Sequence, residues 1–183
     1  MNEEFTFIHI NKTAGTSIEN ALGVSPSHKT AMTHIRSIGY PAWVDKYTFT
    51  FVRNPWDRVV SHYHFRVETN KTGMGDKHIS FSAWVKEAYG NKSPEYNDVK
   101  VLFMPQVDWV TDRKGRILVD DIYRFENIDE DFDKLCEVLK VKAELPHTNR
   151  TDRGHYKEYF DEETKDIIAK AFKDDVAAFG YTY

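Results

Sequence analysis

The chain has 183 residues, 40% of them hydrophobic and 30% charged, the ordinary balance of one soluble domain (1–183) with a sizeable core. A formal net charge of −4 argues against a general nucleic-acid or anionic-membrane binder, so any basic site must be local. The single cysteine, Cys136, excludes an internal disulfide framework. The sequence shows no signal-peptide pattern and no apolar run near ~18 residues, which points to a cytoplasmic protein.

In chain order, Phe5 to Ile10 is a short apolar run with little alternation, as in a strand covered on both faces. Thr16-Ser17-Ile18-Glu19 has capping-box spacing and predicts a helix starting near Ser17. Thr30 to Ile38 reads as helical. Tyr47 to Val52 reads as a second buried strand, ending in Arg53-Asn54-Pro55, where Asn54 is a natural N-cap and Pro55 a natural first helical residue. Trp56, Val59, Val60 and Tyr63 continue with helical spacing. Thr69 to Lys77 reads as an exposed loop, and Phe81 to Tyr89 as a helix. Val107 to Thr111 and Arg116 to Phe125 read as strands around an Asp112-Arg113-Lys114-Gly115 turn. Asp129 to Leu139, which carries Cys136 on its apolar stripe, and Asp161 to Phe179 read as amphipathic helices opening with acids. Alternating strands and helices predict an α/β fold with a mainly parallel sheet flanked by helices.

Two stretches carry chemistry. In "HINKTAGTS" a strand passes through a loop into a helix, the arrangement that presents backbone N–H groups to an anion. Gly15 permits close approach or a positive φ, Thr13, Thr16 and Ser17 add hydroxyls, and Lys12 adds a mobile charge. Such a set suits a phosphoanhydride or a phosphosulfate; the plainer reading is a helix capped by Thr16 beside a solvated lysine. The lysine precedes the glycine, so the Walker pattern fails. In "TFTFVRNPWDRVVSHYHFR", Arg53 sits at the C-terminal end of a strand, where open α/β sheets place ligands, and offers a planar fork to a phosphate. Ser61 lies about two helical turns further on. Arg58 reads either as part of this motif or as a surface residue. Trp43, Trp84 and Trp109 read as core residues rather than sugar platforms.

Together, "FIHINKTAGTS" and "FTFVRNPWDRVVSHY" resemble the carbohydrate-type sulfotransferases that use 3′-phosphoadenosine 5′-phosphosulfate (PAPS), including Golgi enzymes acting on heparan- and chondroitin-type chains and small bacterial relatives. The resemblance continues through "PQVDWVTDRKGRILVDDIYRFENI", "LPHTNRTDRGHY" and "FDEETKDIIAKAFKDDVAAFGY", nearly the whole chain. It implies a P-loop-like three-layer fold. It assigns the 5′-phosphosulfate to Lys12, Thr13, Gly15, Thr16 and Ser17, and the 3′-phosphate to Arg53 and Ser61. Arg150, Arg153 and Tyr156 become candidates for a loop closing over the nucleotide. One departure is Asn11, where relatives often have proline. By the same resemblance a catalytic histidine stands between the two motifs. "HKTA" matches it with His28, and His34 is the alternative. Histidine suits a base at neutral pH.

The implied reaction moves a sulfuryl group to a hydroxyl of a carbohydrate or small-molecule acceptor, with PAP as product. His28 is the base, Lys12 stabilises the leaving group, and no metal is needed. The competing readings are a non-catalytic PAP- or PAPS-binding module and an ATP-dependent P-loop-type kinase. Oligomeric state is not legible.

Overall fold

The computed structural model describes residues 4–146 and 153–183. In chain order its main elements are β1 (Phe5–Ile8), α1 (Gly15–Leu22), α2 (Ala31–Ile38), α3 (Tyr40–Val44), β2 (Tyr47–Val52), α4 (Pro55–Glu68), α5 (Met74–Lys77), α6 (Phe81–Val85), α7 (Lys100–Phe103), α8 (Val107–Val110), β3 (Asp121–Arg124), α9 (Ile128–Leu139), α10 (Glu162–Ala171) and α11 (Lys173–Phe179). The described residues fall into two compact units, 4–53 with 106–146 and 54–105 with 153–183.

The first unit holds a three-stranded parallel sheet in the order β1-β2-β3, so the fold is α/β with helices flanking a parallel sheet. Ile8 pairs with Thr50 and Val52 with Arg124, which brings the C-terminal ends of all three strands to one edge. Alternation along the strands sends Phe7, Phe49, Phe51 and Tyr123 to one face, where they pack with Ile18 of α1 and Phe132, Leu135 and Cys136 of α9. The other face carries Thr48, which shares a groove with Trp43 and Val44 of α3. Entry into β3 is locked by Asp120: its Oδ2 accepts from the Thr48 amide and hydroxyl, both at 2.7 Å. At the far end Asp131, in the first turn of α9, accepts from the Arg124 amide at 2.8 Å.

The second unit packs around Trp56, Val59, Val60, Met74, Phe81, Trp84, Phe103 and Phe172. Asn54 caps α4 as predicted, accepting from the Trp56 and Asp57 amides with Pro55 in the first turn. Arg58 is buried rather than a surface residue, and its guanidinium donates to the carbonyls of Leu102 and Met104. All three tryptophans singled out in the sequence are buried core residues. No helix among the described residues is long and apolar enough to cross a membrane.

Five expectations need correction. The helix predicted from Ser17 starts at Gly15 with Ala14 as its N-cap, because Glu19 turns its carboxylate to His9 and Ser27 instead of closing a capping box. Residues 107–111 form no strand: Trp109 and Val110 are adjacent and both buried, which a half-buried strand cannot achieve, and Val107–Val110 is a short helix. The Asp112–Gly115 turn is present, but only a Thr111–Ile117 antiparallel bridge spans it, and the strand shortens to Asp121–Arg124. The 69–77 segment is not a plain exposed loop, since Met74 is fully buried against Arg66 Nε (3.4 Å) and anchors a short helix. The C-terminal helix breaks at Phe172, whose non-helical backbone drives its ring into the core between α10 and α11.

Candidate active site at the C-terminal edge of the sheet

The loop from β1 to α1 is wound tightly. Lys12 (φ 68°) and Ala14 (φ 65°) both occupy the left-handed region that L-residues seldom adopt. The positive φ anticipated at Gly15 falls on these neighbours instead. Gly15 serves the other role, close approach: a Cβ there would stand 2.0 Å from His9 Cδ2, so the imidazole packs directly against the first residue of α1. No side chain caps α1. The Ala14 carbonyl takes the Ser17 and Ile18 amides, and the N–H groups ahead of them face the end of the helix where an anion is stabilised.

The predicted loop residues divide by exposure. Thr16 is exposed and Lys12 half-buried, while Ser17 is buried and Thr13 fully so. The Thr13 hydroxyl donates to the Ile10 carbonyl at 2.9 Å and braces the turn from inside. Arg53, one residue past β2, is fixed at three points. Its Nη1 donates to the Lys12 carbonyl at 3.1 Å, and its guanidinium carbon lies 3.8 Å from the Phe125 ring centroid. Its backbone is held by the Gln106 side chain, whose Oε1 accepts from the Arg53 amide (2.9 Å) and whose Nε2 donates to the Arg53 carbonyl (2.8 Å). Gln106 and Phe125 lie within the stretch that carries the family resemblance, but their contacts with Arg53 are long-range and have no local signature.

His28 is exposed and stands beside this loop. Its Nδ1 lies 3.1 Å from the His9 carbonyl, and its ring centroid 4.2 Å from that of His9. A carbonyl can only accept, so Nδ1 carries the proton and Nε2 keeps its lone pair. His9 in turn donates Nδ1–H to buried Glu19 at 2.7 Å. Burial, then the neighbouring His28, hold the His9 imidazole below its usual pKa against the opposing pull of Glu19. His34, the alternative base, packs against Trp43 with its Nε2 buried; burial and then Lys29 lower its pKa. It lines a cavity of about 220 Å³ with Glu19, Ser27 and Lys46. His9 is the packed, hydrogen-bonded residue that its place on a buried strand implies; its pairing with Glu19, ten residues away, carries no local signal.

The remaining candidates lie in the second unit. Ser61 is buried on α4. Arg153 pairs with Asp57 in the first turn of α4, and Tyr156 lies 4.5 Å from the His155 ring and 5.8 Å from that of Tyr183. Arg150 lies outside the described residues.

A parallel α/β sheet, a helix without a side-chain cap following its first strand and an arginine fixed beyond its second give the strand–loop–helix arrangement of a P-loop-like fold. The chain belongs to the sulfotransferase family, whose model matches residues 2–182. Over 98 residues it is 29% identical to an uncharacterized protein of Archaeoglobus fulgidus, covering 53% of this chain and 70% of that one. It is also similar to the crystal structure of a sulfotransferase from Alicyclobacillus acidocaldarius, at 21% identity and a TM-score of 0.41. That match covers 80% of this chain but only 56% of the other, so the chain spans little more than half of that relative.

Proposed function

We propose that the protein transfers a sulfuryl group from PAPS to a hydroxyl of a carbohydrate or small-molecule acceptor, with His28 as general base. The observation that carries this reading is the orientation of His28. Its Nδ1–H is tied to the His9 carbonyl, and the exposed imidazole keeps Nε2 for an incoming hydroxyl, next to the loop that suits an anion. The acceptor proton passes to Nε2 as the acceptor oxygen bonds to sulfur, and the bond from sulfur to the bridging oxygen breaks to release PAP. Lys12 and the first amides of α1 stabilise charge on the departing phosphate, and Arg53 holds the 3′-phosphate. Ser61, Arg153 and Tyr156 keep the nucleotide role implied by the resemblance, each tested by its own substitution.

The test is transfer from labelled PAPS into a host-cell extract, followed by mass identification of the labelled product. His28→Ala should abolish transfer and leave PAP affinity within about twofold, as fits a base that acts on the acceptor rather than the nucleotide. Full transfer by that variant would overturn the assignment. Tight ATP binding with Mg²⁺-dependent phosphoryl transfer would establish a kinase instead. PAP binding without transfer to any acceptor would establish a binding module.

A further inference from the structure

Next to His28 lies a buried carboxylate that the transfer step does not itself use. Glu19, on α1, is 3% exposed. Its Oε1 receives two donors, His9 Nδ1–H at 2.7 Å and the Ser27 amide at 3.1 Å. Ser27 immediately precedes His28, and the His9 carbonyl is the group that receives His28 Nδ1–H at 3.1 Å. Both supports of His28, the loop that carries it and the residue that orients its ring, therefore end on one oxygen atom. A buried carboxylate is costly unless its oxygens find donors, and these two donors come from the pieces that must be held together.

We infer that Glu19 is the positioning residue for His28, fixing its Nδ1–H tautomer and its place beside the β1–α1 loop by gripping His9 and the Ser27 amide at once. The inference rests on the reading of His28 as the base. In a direct carboxylate–imidazole pair the carboxylate touches the base; here it acts one step removed. The charged and titratable groups acting on the intervening His9 ring are His28, Glu19 and Lys12. When His28 takes the acceptor proton, its imidazolium lies 4.2 Å, centroid to centroid, from the His9 ring, whose Nδ1–H is held by the Glu19 carboxylate. A neutral His9 in that place avoids a second positive charge.

The tautomer can be read without any acceptor, by two-bond ¹H–¹⁵N correlation of the histidine rings, with His28 assigned by its absence from His28→Gln. The native protein should show the Nδ1–H form. Glu19→Gln should keep it, because the amide oxygen can accept the same two donors, and should lose about threefold in transfer. Glu19→Asp withdraws the oxygen by one methylene. It should give a mixture with the Nε2–H form and about thirtyfold slower transfer, while PAP affinity by calorimetry stays within about twofold. An unchanged His28 tautomer in a folded Glu19→Asp protein would overturn the inference, even with a lowered melting temperature, since a merely structural role predicts that pattern. Full transfer by His28→Ala would instead remove the base reading and leave the tautomer result standing, so the two failures are distinguishable.

Discussion

Arg53 Nη1 donates to the carbonyl of Lys12 at 3.1 Å, so the arginine proposed for the 3′-phosphate also secures the backbone of the lysine proposed for the leaving group. A guanidinium is a planar fork of five N–H donors, the geometry that suits a phosphate. Arg53→Ala should therefore weaken PAP binding by about 10- to 100-fold, the range of a lost charge-assisted contact of about 1.5–3 kcal/mol. Arg53→Lys should recover little, because a lysine cannot hold the Lys12 carbonyl and a phosphate in one plane. Calorimetry with PAP against adenosine 5′-phosphosulfate checks the role: unchanged relative affinity for the two would refute it.

Lys12 combines a charge with a strained backbone. The left-handed conformation costs a non-glycine residue roughly 1–2 kcal/mol. Lys12→Gly should raise stability by about 1 kcal/mol while cutting transfer severely, and Lys12→Ala should cut transfer equally with no gain in stability. Chemical denaturation beside a transfer assay separates the two effects. Equal stability of both variants would show that the strain is relieved elsewhere.

Gly15→Ala should destabilise by about 1–3 kcal/mol, as overpacking does, since the new Cβ would meet the His9 ring at 2.0 Å. The clash has one named partner. Gly15→Ala combined with His9→Ala should therefore lose less stability than the sum of the single variants. Simple additivity in a double-mutant cycle would place the strain in the loop backbone rather than in the ring.

Three histidines, His9, His34 and His64, have their pKa lowered from 6.5, in each case by burial first. A base whose folded pKa is depressed binds fewer protons folded than unfolded. Its stabilising contribution is present above pH 6.5 and is lost as pH falls through 6.5 toward the folded value. Asp112 and Asp161 lie below their usual 3.8, through the hydrogen bonds they accept, and titrate lower still. Melting temperature should therefore fall already between pH 7 and pH 5, before Asp112 or Asp161 contributes. His34→Asn should flatten that slope; an unchanged slope would exclude His34 as a source.

The parts of the fold that announce themselves in the sequence are those written in local code. Phe5 to Ile8 and Tyr47 to Val52 are apolar runs of strand length, and Asn54-Pro55 is a cap followed by the residue suited to start a helix. Where reading failed, a distant partner decided. Glu19 has the spacing of a capping residue but is claimed by His9, and Val107 to Thr111 has strand composition but winds into a helix that buries Trp109. In the candidate site, Lys12, Arg53 and His28 are proposed from recognisable motifs, and their roles remain proposals. The contacts beneath them, made by His9, Glu19, Gln106 and Phe125, are not legible, since each joins residues well separated along the chain.

Gln106 closes the account of that edge. At Arg53 the chain has passed the last paired residue of β2, and its amide and carbonyl would have to find new partners where no strand continues. The Gln106 carboxamide supplies an acceptor and a donor at 2.9 and 2.8 Å, so a side chain there counterfeits a peptide group of a neighbouring strand. The imitation tolerates little editing. Glutamate lacks the donor, leucine lacks both functions, and asparagine is one methylene short. Position 106 should therefore accept almost nothing but glutamine, although its side chain is wholly buried and distant in sequence from both Lys12 and Arg53.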